Sequence, residues 1–118
     1  MDKTEYFLKQ SEIYYNNKFY PDAVSRRYYA LLHLMVDKIE HEGASYERRH
    51  DKIRKAFVEQ YYPQEMWTTL KDRIYRLYSA RCNADYVRSI SEQFTDEKHC
   101  EWYEKINDFI EEIKKTHP

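Results

Sequence analysis

Apolar side chains recur every three or four residues through most of the chain, which is the spacing of one face of an α-helix. The most regular stripe predicts a helix from about Tyr20 to Glu42. Gly43, the only glycine, follows directly and is expected to take the left-handed conformation that ends many helices. The apolar positions of this stripe are Val24, Tyr28, Leu31, Leu32, Met35 and Ile39.

Four further helices are predicted by the same spacing. The first is opened by an Asp-x-x-Glu capping box at Asp2 and Glu5, ends near Asn16, and has Tyr6, Phe7, Ile13 and Tyr14 as its apolar positions. The third begins near Asp51 and stops before Pro63, which can itself begin the next helix. The fourth covers about Gln64–Asp85, and the last covers about Asp96–Lys115 with Thr95 as its N-cap.

These elements predict an all-α fold, an up-and-down bundle of four to five helices that forms a single domain over residues 1–118. The connections are short, so helices that follow each other in sequence are expected to run antiparallel.

Composition excludes several classes of function. One glycine is too few for a glycine-rich phosphate loop. Two cysteines without close spacing, and five histidines without ligand spacing, predict neither a disulfide framework nor a metal site, and no cofactor is expected. No segment approaches the roughly 20 apolar residues of a membrane span, and no signal peptide is evident. We therefore expect a soluble, cytoplasmic protein with no membrane contact.

Charge is unevenly distributed although the net charge is only −1. Residues 44–90 carry 10 basic and 6 acidic side chains, whereas residues 91–118 carry 4 and 8. A basic cluster at the predicted start of the third helix could contact RNA or another phosphate, or could simply be a solvated face. Its candidate nucleic-acid-binding residues are Arg48, Arg49, His50 and Arg54.

Arg81 is the residue least explained by helix packing. It continues the apolar stripe of Ile74, Leu77 and Tyr78, and a buried guanidinium is costly without a partner. Two alternatives remain open: a salt bridge to Asp85 one turn later, or an anion-facing position at an open end of the bundle. Asn83, Asp85 and Tyr86 lie close in sequence and are candidate catalytic residues with Arg81. Asp85 is expected to orient the guanidinium rather than act as a base, and Tyr86 is a candidate proton shuttle, although a phenol is a poor base at pH 7.

The chain has 13 tyrosines, more than a small core requires. Aromatic rings with a polar tip suit a partly wet interface, which favours a homodimer or a partner contact. The alternative is a preference for tyrosine over phenylalanine without any interface.

Two segments together resemble the HEPN domain family, small helical proteins associated with prokaryotic nucleotidyltransferases. The segment 19–33, Phe-Tyr-Pro-Asp-Ala-Val-Ser-Arg-Arg-Tyr-Tyr-Ala-Leu-Leu-His, is similar to the family's signature helix. The segment 81–86, Arg-Cys-Asn-Ala-Asp-Tyr, is similar to its second signature. The likeness covers roughly residues 5–115 and follows the same order of helices.

The resemblance implies a bundle that forms a homodimer, with the Arg motif near the dimer groove and a nucleotidyltransferase as partner. Active members are metal-independent endoribonucleases that pair an Arg with a His four to six residues later. Arg81 and Asn83 match the first part, but Tyr86, Val87 and Arg88 stand where the His is expected. His50 or His99 could replace it only if the fold or a second subunit brought either one close. The resemblance thus implies an RNA-binding component of a toxin–antitoxin or defence system, with an active ribonuclease and a purely structural adaptor as alternatives.

Overall fold

A computed structural model of the chain describes residues 2–41, 43, 49–86 and 95–117, although for Tyr86 only the backbone is described. The regular structure of these residues is helical. The described residues contain no strand, so the predicted all-α bundle is confirmed. The helices are α1 (Lys3–Asn16), α2 (Tyr20–His41), α3 (His50–Tyr61), α4 (Trp67–Tyr86) and α5 (Asp96–Thr116).

The predicted caps at three helix ends are observed. The Asp2 carboxylate accepts a hydrogen bond from the backbone N–H of Glu5 at 2.8 Å, and the Thr95 hydroxyl accepts one from the N–H of Lys98 at 3.3 Å. Gly43 has a φ of 72°, the left-handed conformation expected after α2. These ends are determined by local chemistry, which is why the sequence predicted them.

The fourth helix begins later than predicted. Pro63 lies in extended conformation before a 3₁₀ turn at Gln64–Met66, and α4 starts only at Trp67. The indole N–H of Trp67 donates to the Tyr62 carbonyl at 2.8 Å, which fixes the chain at this corner.

The buried face of α1 differs from the predicted one. Tyr6 and Ile13 are 48% and 62% exposed, whereas Thr4 and Ser11 are buried. The Thr4 hydroxyl donates to Asp37 of α2 at 3.2 Å, and the Ser11 hydroxyl donates to a carbonyl within α1. Small polar residues therefore face α2, and two of the apolar positions of α1 point outward.

Helix α2 is the centre of the bundle and contacts each of the other four helices. Its buried apolar side chains form one core with those of α3, α4 and α5. The least exposed large side chains of that core include Tyr28, Leu31, Met35, Ile39, Phe57, Ile74, Phe109 and Ile110.

The directions of the helices follow from their contacts. Thr4 meets Asp37 and Tyr15 meets Tyr20, so α1 and α2 are antiparallel. Contacts of His50 with Tyr78 and of Glu59 with Lys71 make α3 and α4 antiparallel. Helix α5 is also antiparallel to α4. Arg73, early in α4, binds Glu112 near the end of α5, whereas Leu77, later in α4, lines one cleft with Trp102 near the start of α5.

The antiparallel prediction is wrong for α2 and α3. His50 at the start of α3 lies against Tyr28, and the Tyr61 hydroxyl at its end donates to the Lys38 carbonyl at 2.7 Å. Helices α2 and α3 therefore run in the same direction. This parallel arrangement places the start of α3 beside the last turns of α4, where His50 meets Tyr78.

No helix among the described residues is both long and apolar enough to cross a lipid bilayer.

Candidate nucleic-acid interface

Arg81 lies in the last turns of α4 and is only 7% exposed. Its Nη1 donates to the Asp85 carboxylate at 3.0 Å and to the Tyr29 hydroxyl at 3.4 Å. Of the two alternatives left open by the sequence, the salt bridge to Asp85 is the one observed. Asp85 sits four residues later on the same helix, so it holds the guanidinium in place, as expected of an orienting carboxylate.

Aromatic rings enclose the rest of the Arg81 guanidinium. The guanidinium carbon Cζ lies 5.1 Å from the ring centre of Tyr78, 5.6 Å from that of Tyr29 and 5.9 Å from that of Tyr28. Burial disfavours the charged form, but the hydrogen bond that Arg81 donates to Asp85 and the neighbouring Tyr29 outweigh it and raise the pKa of Arg81 above its ordinary value. The guanidinium is thus a permanent buried cation, and its Nε has no hydrogen-bond acceptor among the described residues.

His50 is brought to this cluster by the fold. The Tyr28 hydroxyl lies 3.2 Å from Nδ1 of His50, and the His50 ring is 4.8 Å from the ring of Tyr78. Burial, followed by the charges of Arg81 and Arg54, lowers the pKa of His50. Histidine is therefore neutral here at pH 7. Tyr28 and Tyr78 each contact both His50 and Arg81 and so connect the two residues.

Tyr28 itself is deeply buried, with 1% of its surface exposed. Burial raises its pKa far above the ordinary value for a phenol, against a smaller opposing effect of Arg81 and Arg54. It is therefore a neutral hydroxyl at pH 7, and it can donate to or accept from His50.

A groove runs along the outer side of these residues between α3 and α4. It consists of one cleft of about 400 Å³ at the start of α3 and an adjoining cleft of about 380 Å³, which share Asp51, Arg54 and Tyr75. Among the described residues, five cationic side chains and two carboxylates line this α3–α4 groove, which gives this part of the surface a net positive charge. Its lining residues are Arg49, His50, Asp51, Lys52, Arg54, Lys55, Lys71, Asp72, Tyr75 and Tyr78.

Not all of this positive charge is available to a ligand. Lys71 donates to Glu59 at 2.7 Å, and Arg49 lies 3.4 Å from Asp51 in an exposed pair. Exposed pairs of this kind are weak and exchange readily with water, so Arg49 can turn to an incoming anion. Helix α3 also begins without a side-chain cap at Arg49.

Tyr75 is the part of the groove that sequence reasoning missed. It is 52% exposed, the Arg54 guanidinium lies 5.4 Å from its ring centre, and its ring is 6.2 Å from that of Tyr78. Tyr75, Tyr78 and His50 therefore form a row of three rings beside the cations. A signal existed in the spacing of Tyr75 and Tyr78 on one helix, but only the packing of α3 against α4 places Arg54 over the ring.

The remaining predicted site residues are distributed differently. Asn83 is half-buried in the last turns of α4. Arg48, the side chain of Tyr86, and Val87 and Arg88 lie outside the described part of the chain. His99 is buried at the start of α5, where burial lowers its pKa, and none of the contacts described for Arg81 involves it. Among the described residues, no cluster of three or more His, Cys, Asp or Glu side chains is arranged to hold a metal ion.

Comparisons of the chain with protein-family models, with curated proteins and with solved structures found no match. A functional proposal for this chain therefore depends on its residues and their geometry.

Proposed function

We propose that this chain is a HEPN-like RNA-binding domain, and that the α3–α4 groove is its RNA-binding surface. The observation that carries the proposal is the groove itself, where cations of α3 stand beside the ring row of Tyr75, Tyr78 and His50. Cations neutralise phosphates, and exposed rings stack on unpaired bases, so a groove with both fits a nucleic acid strand better than a small metabolite.

Different side chains of the groove would contact the phosphates and the bases of the RNA. Arg49, Lys52 and Lys55 would contact phosphates, since their charged ends reach the solvent side of α3. Tyr75, with its half-exposed ring and Arg54 beside it, would stack on a base. RNA is favoured over DNA by the resemblance of segments 19–33 and 81–86 to HEPN signatures, and the same resemblance suggests a toxin–antitoxin or defence setting with a nucleotidyltransferase partner.

A paired charge-reversal experiment tests RNA binding at the groove. Fluorescence anisotropy with a labelled single-stranded RNA would compare the wild type, Lys52→Glu with Lys55→Glu, and the control Lys114→Glu with Lys115→Glu. The control lysines are exposed in the last turn of α5, away from the groove. Removing two phosphate contacts should flatten the plot of log affinity against log salt by about 1.4, whereas the control keeps the wild-type slope. Equal slopes for both double variants would contradict the proposal.

A metal-independent ribonuclease is the second candidate, favoured by the placement of His50 beside Arg81. In the tautomer of neutral His50 that donates its Nδ1–H to Tyr28, Nε2 would accept the proton of the 2′-hydroxyl as its oxygen attacks the phosphorus. The buried Arg81 cation would favour the charged phosphorane through its electric field, without touching it. The bond from phosphorus to the 5′-oxygen would then break, and water would protonate the leaving oxygen. The test is incubation of purified protein with structured RNA in the presence of EDTA. Cleavage that disappears in both His50→Gln and Arg81→Met supports this role, whereas cleavage that survives both changes contradicts it. An adaptor without RNA affinity would show neither binding nor cleavage.

Homodimer formation is part of the proposal and has its own support. Large apolar side chains are exposed on and next to α1, namely Tyr6, Ile13 and Phe19 at 48%, 62% and 57%. Tyr6 and Ile13 are seven residues apart and so share one face of α1, and exposed apolar side chains grouped on one face favour a protein contact. Sedimentation of the purified chain should give a dimer that Ile13→Lys with Phe19→Lys converts to a monomer, and a wild-type monomer at high concentration would contradict it.

A further inference from the structure

His50 stands between the bundle core and the α3–α4 groove. Its Nδ1 is engaged by the Tyr28 hydroxyl at 3.2 Å, and its ring packs against those of Tyr28 and Tyr78. His50 also lines the cleft at the start of α3. Because Nδ1 is taken by the core, Nε2 is the ring nitrogen left for a group bound in the groove.

The contact with Tyr28 serves both protonation states of His50. The phenol donates to Nδ1 of the neutral ring and, by rotating its hydroxyl hydrogen, accepts from the Nδ1–H of the charged ring. Burial keeps the pKa of Tyr28 high, so its phenol stays protonated in the pH range in which His50 titrates. Protonation of His50 therefore keeps its hydrogen bond to Tyr28 and reverses only the direction of that hydrogen bond.

Charged and titratable groups around His50 oppose protonation while the groove is empty. Burial is the first cause of its lowered pKa, and Arg81 from α4 and Arg54 from α3 act in the same direction. Asp51 acts in the opposite direction and is the carboxylate among the described residues that does so. The other groups that face the ring or line its cleft are Tyr28 of α2, Tyr75 and Tyr78 of α4, and Arg49.

A phosphate in this cleft reverses that balance. It places a negative charge near Arg49 and Arg54, weakens their repulsion of a charged imidazole, and offers an acceptor to Nε2–H. We propose that a phosphate of RNA bound in the α3–α4 groove and a proton on His50 bind cooperatively, so that the protein takes up a proton when it binds RNA. This inference rests on the proposed function and adds a pH dependence to it.

Thermodynamic reciprocity gives the size of the effect. If RNA favours the protonated ring, lower pH must favour RNA binding to the same extent. Affinity should rise by up to about tenfold for each unit by which the pKa of His50 in the complex exceeds its pKa in the free protein. The rise should occur between these two pKa values and level off on either side.

The test measures RNA affinity by anisotropy from about pH 8 to about pH 5.5 at constant ionic strength, the range in which histidine titrates. The proteins are the wild type, His50→Gln and the control His41→Gln, since His41 is exposed at the end of α2. Wild type and control should bind more tightly as the pH falls, whereas His50→Gln should bind with nearly constant affinity. The same pH dependence in His50→Gln would overturn the inference.

A second measurement does not depend on a variant that folds. NMR titration of the His50 Cε1–H signal in wild-type protein should show a higher pKa with the RNA probe than without it, and an unchanged pKa would overturn the inference. RNA binding that is independent of pH refutes the proton linkage and leaves the proposed function standing. Absence of RNA binding throughout the pH range refutes the proposed function, and the linkage with it.

Discussion

The ion pair between Arg81 and Asp85 should contribute far more to stability than any exposed pair of this protein. Its side chains are 8% and 26% exposed, compared with 70% and 57% for Arg76 and Asp72, another pair on α4 four residues apart. Removing one partner of a fully buried pair costs about 3–5 kcal/mol. Because Asp85 retains some contact with water, we expect Arg81→Met to cost about 2–3 kcal/mol.

Part of that cost comes from the aromatic rings rather than from Asp85. Three tyrosine rings lie within 5.9 Å of the Arg81 guanidinium carbon, and a desolvated cation–π contact contributes about 1–2 kcal/mol. A double-mutant cycle separates the two sources, because only the coupling energy between Arg81→Met and Asp85→Asn reports the ion pair.

The assay is urea unfolding followed by circular dichroism, with the cycle of Arg76→Met and Asp72→Asn as the matched control. We expect a coupling energy of about 1.5 kcal/mol or more for the buried pair and about 0.3–0.5 kcal/mol for the exposed pair. Equal coupling in the two cycles would refute the reasoning that Asp85 holds the buried guanidinium in place.

Three further predictions concern other parts of the bundle. Arg27 is buried, and its hydrogen-bond acceptors among the described residues are the Asn107 amide oxygen and the Tyr103 hydroxyl. A carboxylate in place of the amide would pair with the guanidinium, so Asn107→Asp should raise the free energy of unfolding at pH 7 by about 1 kcal/mol. A lower free energy of unfolding in urea would contradict this. Gly43→Ala should cost about 1–2 kcal/mol because of the φ of 72°, whereas Gly43→Asn should cost less, and equal melting temperatures for the two variants would count against it. The free energy of unfolding should be constant above about pH 6.5 and decrease below it, because the histidines of the unfolded chain take up protons at a higher pH than the buried ones of the folded chain. Urea midpoints that rise as the pH drops from about 6.5 to about 5.5 would disprove this. The groups responsible are the histidines whose pKa is lowered by burial, His50, His99 and His117.

Helix positions could be predicted from the sequence because their signals are local. Asp2, Thr95 and Gly43 act on the few backbone groups next to them, and each was found in its expected role. The direction of α3 relative to α2 could not be predicted, because an apolar stripe shows which face is buried and not which way the helix runs. In α1 the pattern was misleading, since Ile13 is exposed while Ser11 is buried.

In the candidate site too, local features could be predicted from the sequence and long-range contacts could not. The Arg81–Asp85 pair follows from a spacing of four residues on one helix and was among the predicted alternatives. The approach of His50 to Arg81 depends on the packing of α3 beside α4, which no local pattern contains. The stacking position of Tyr75 beside Arg54 has the same origin.

The most direct test of the central claim is NMR mapping of a single-stranded RNA on the ¹⁵N-labelled chain. Shifts should concentrate at the start of α3, from Arg49 to Lys55, and on the facing turns of α4 around Tyr75 and Tyr78, and they should shrink as salt is added. Shifts confined to α1 or to the outer face of α5, or none at all, would contradict the assignment of RNA binding to the α3–α4 groove.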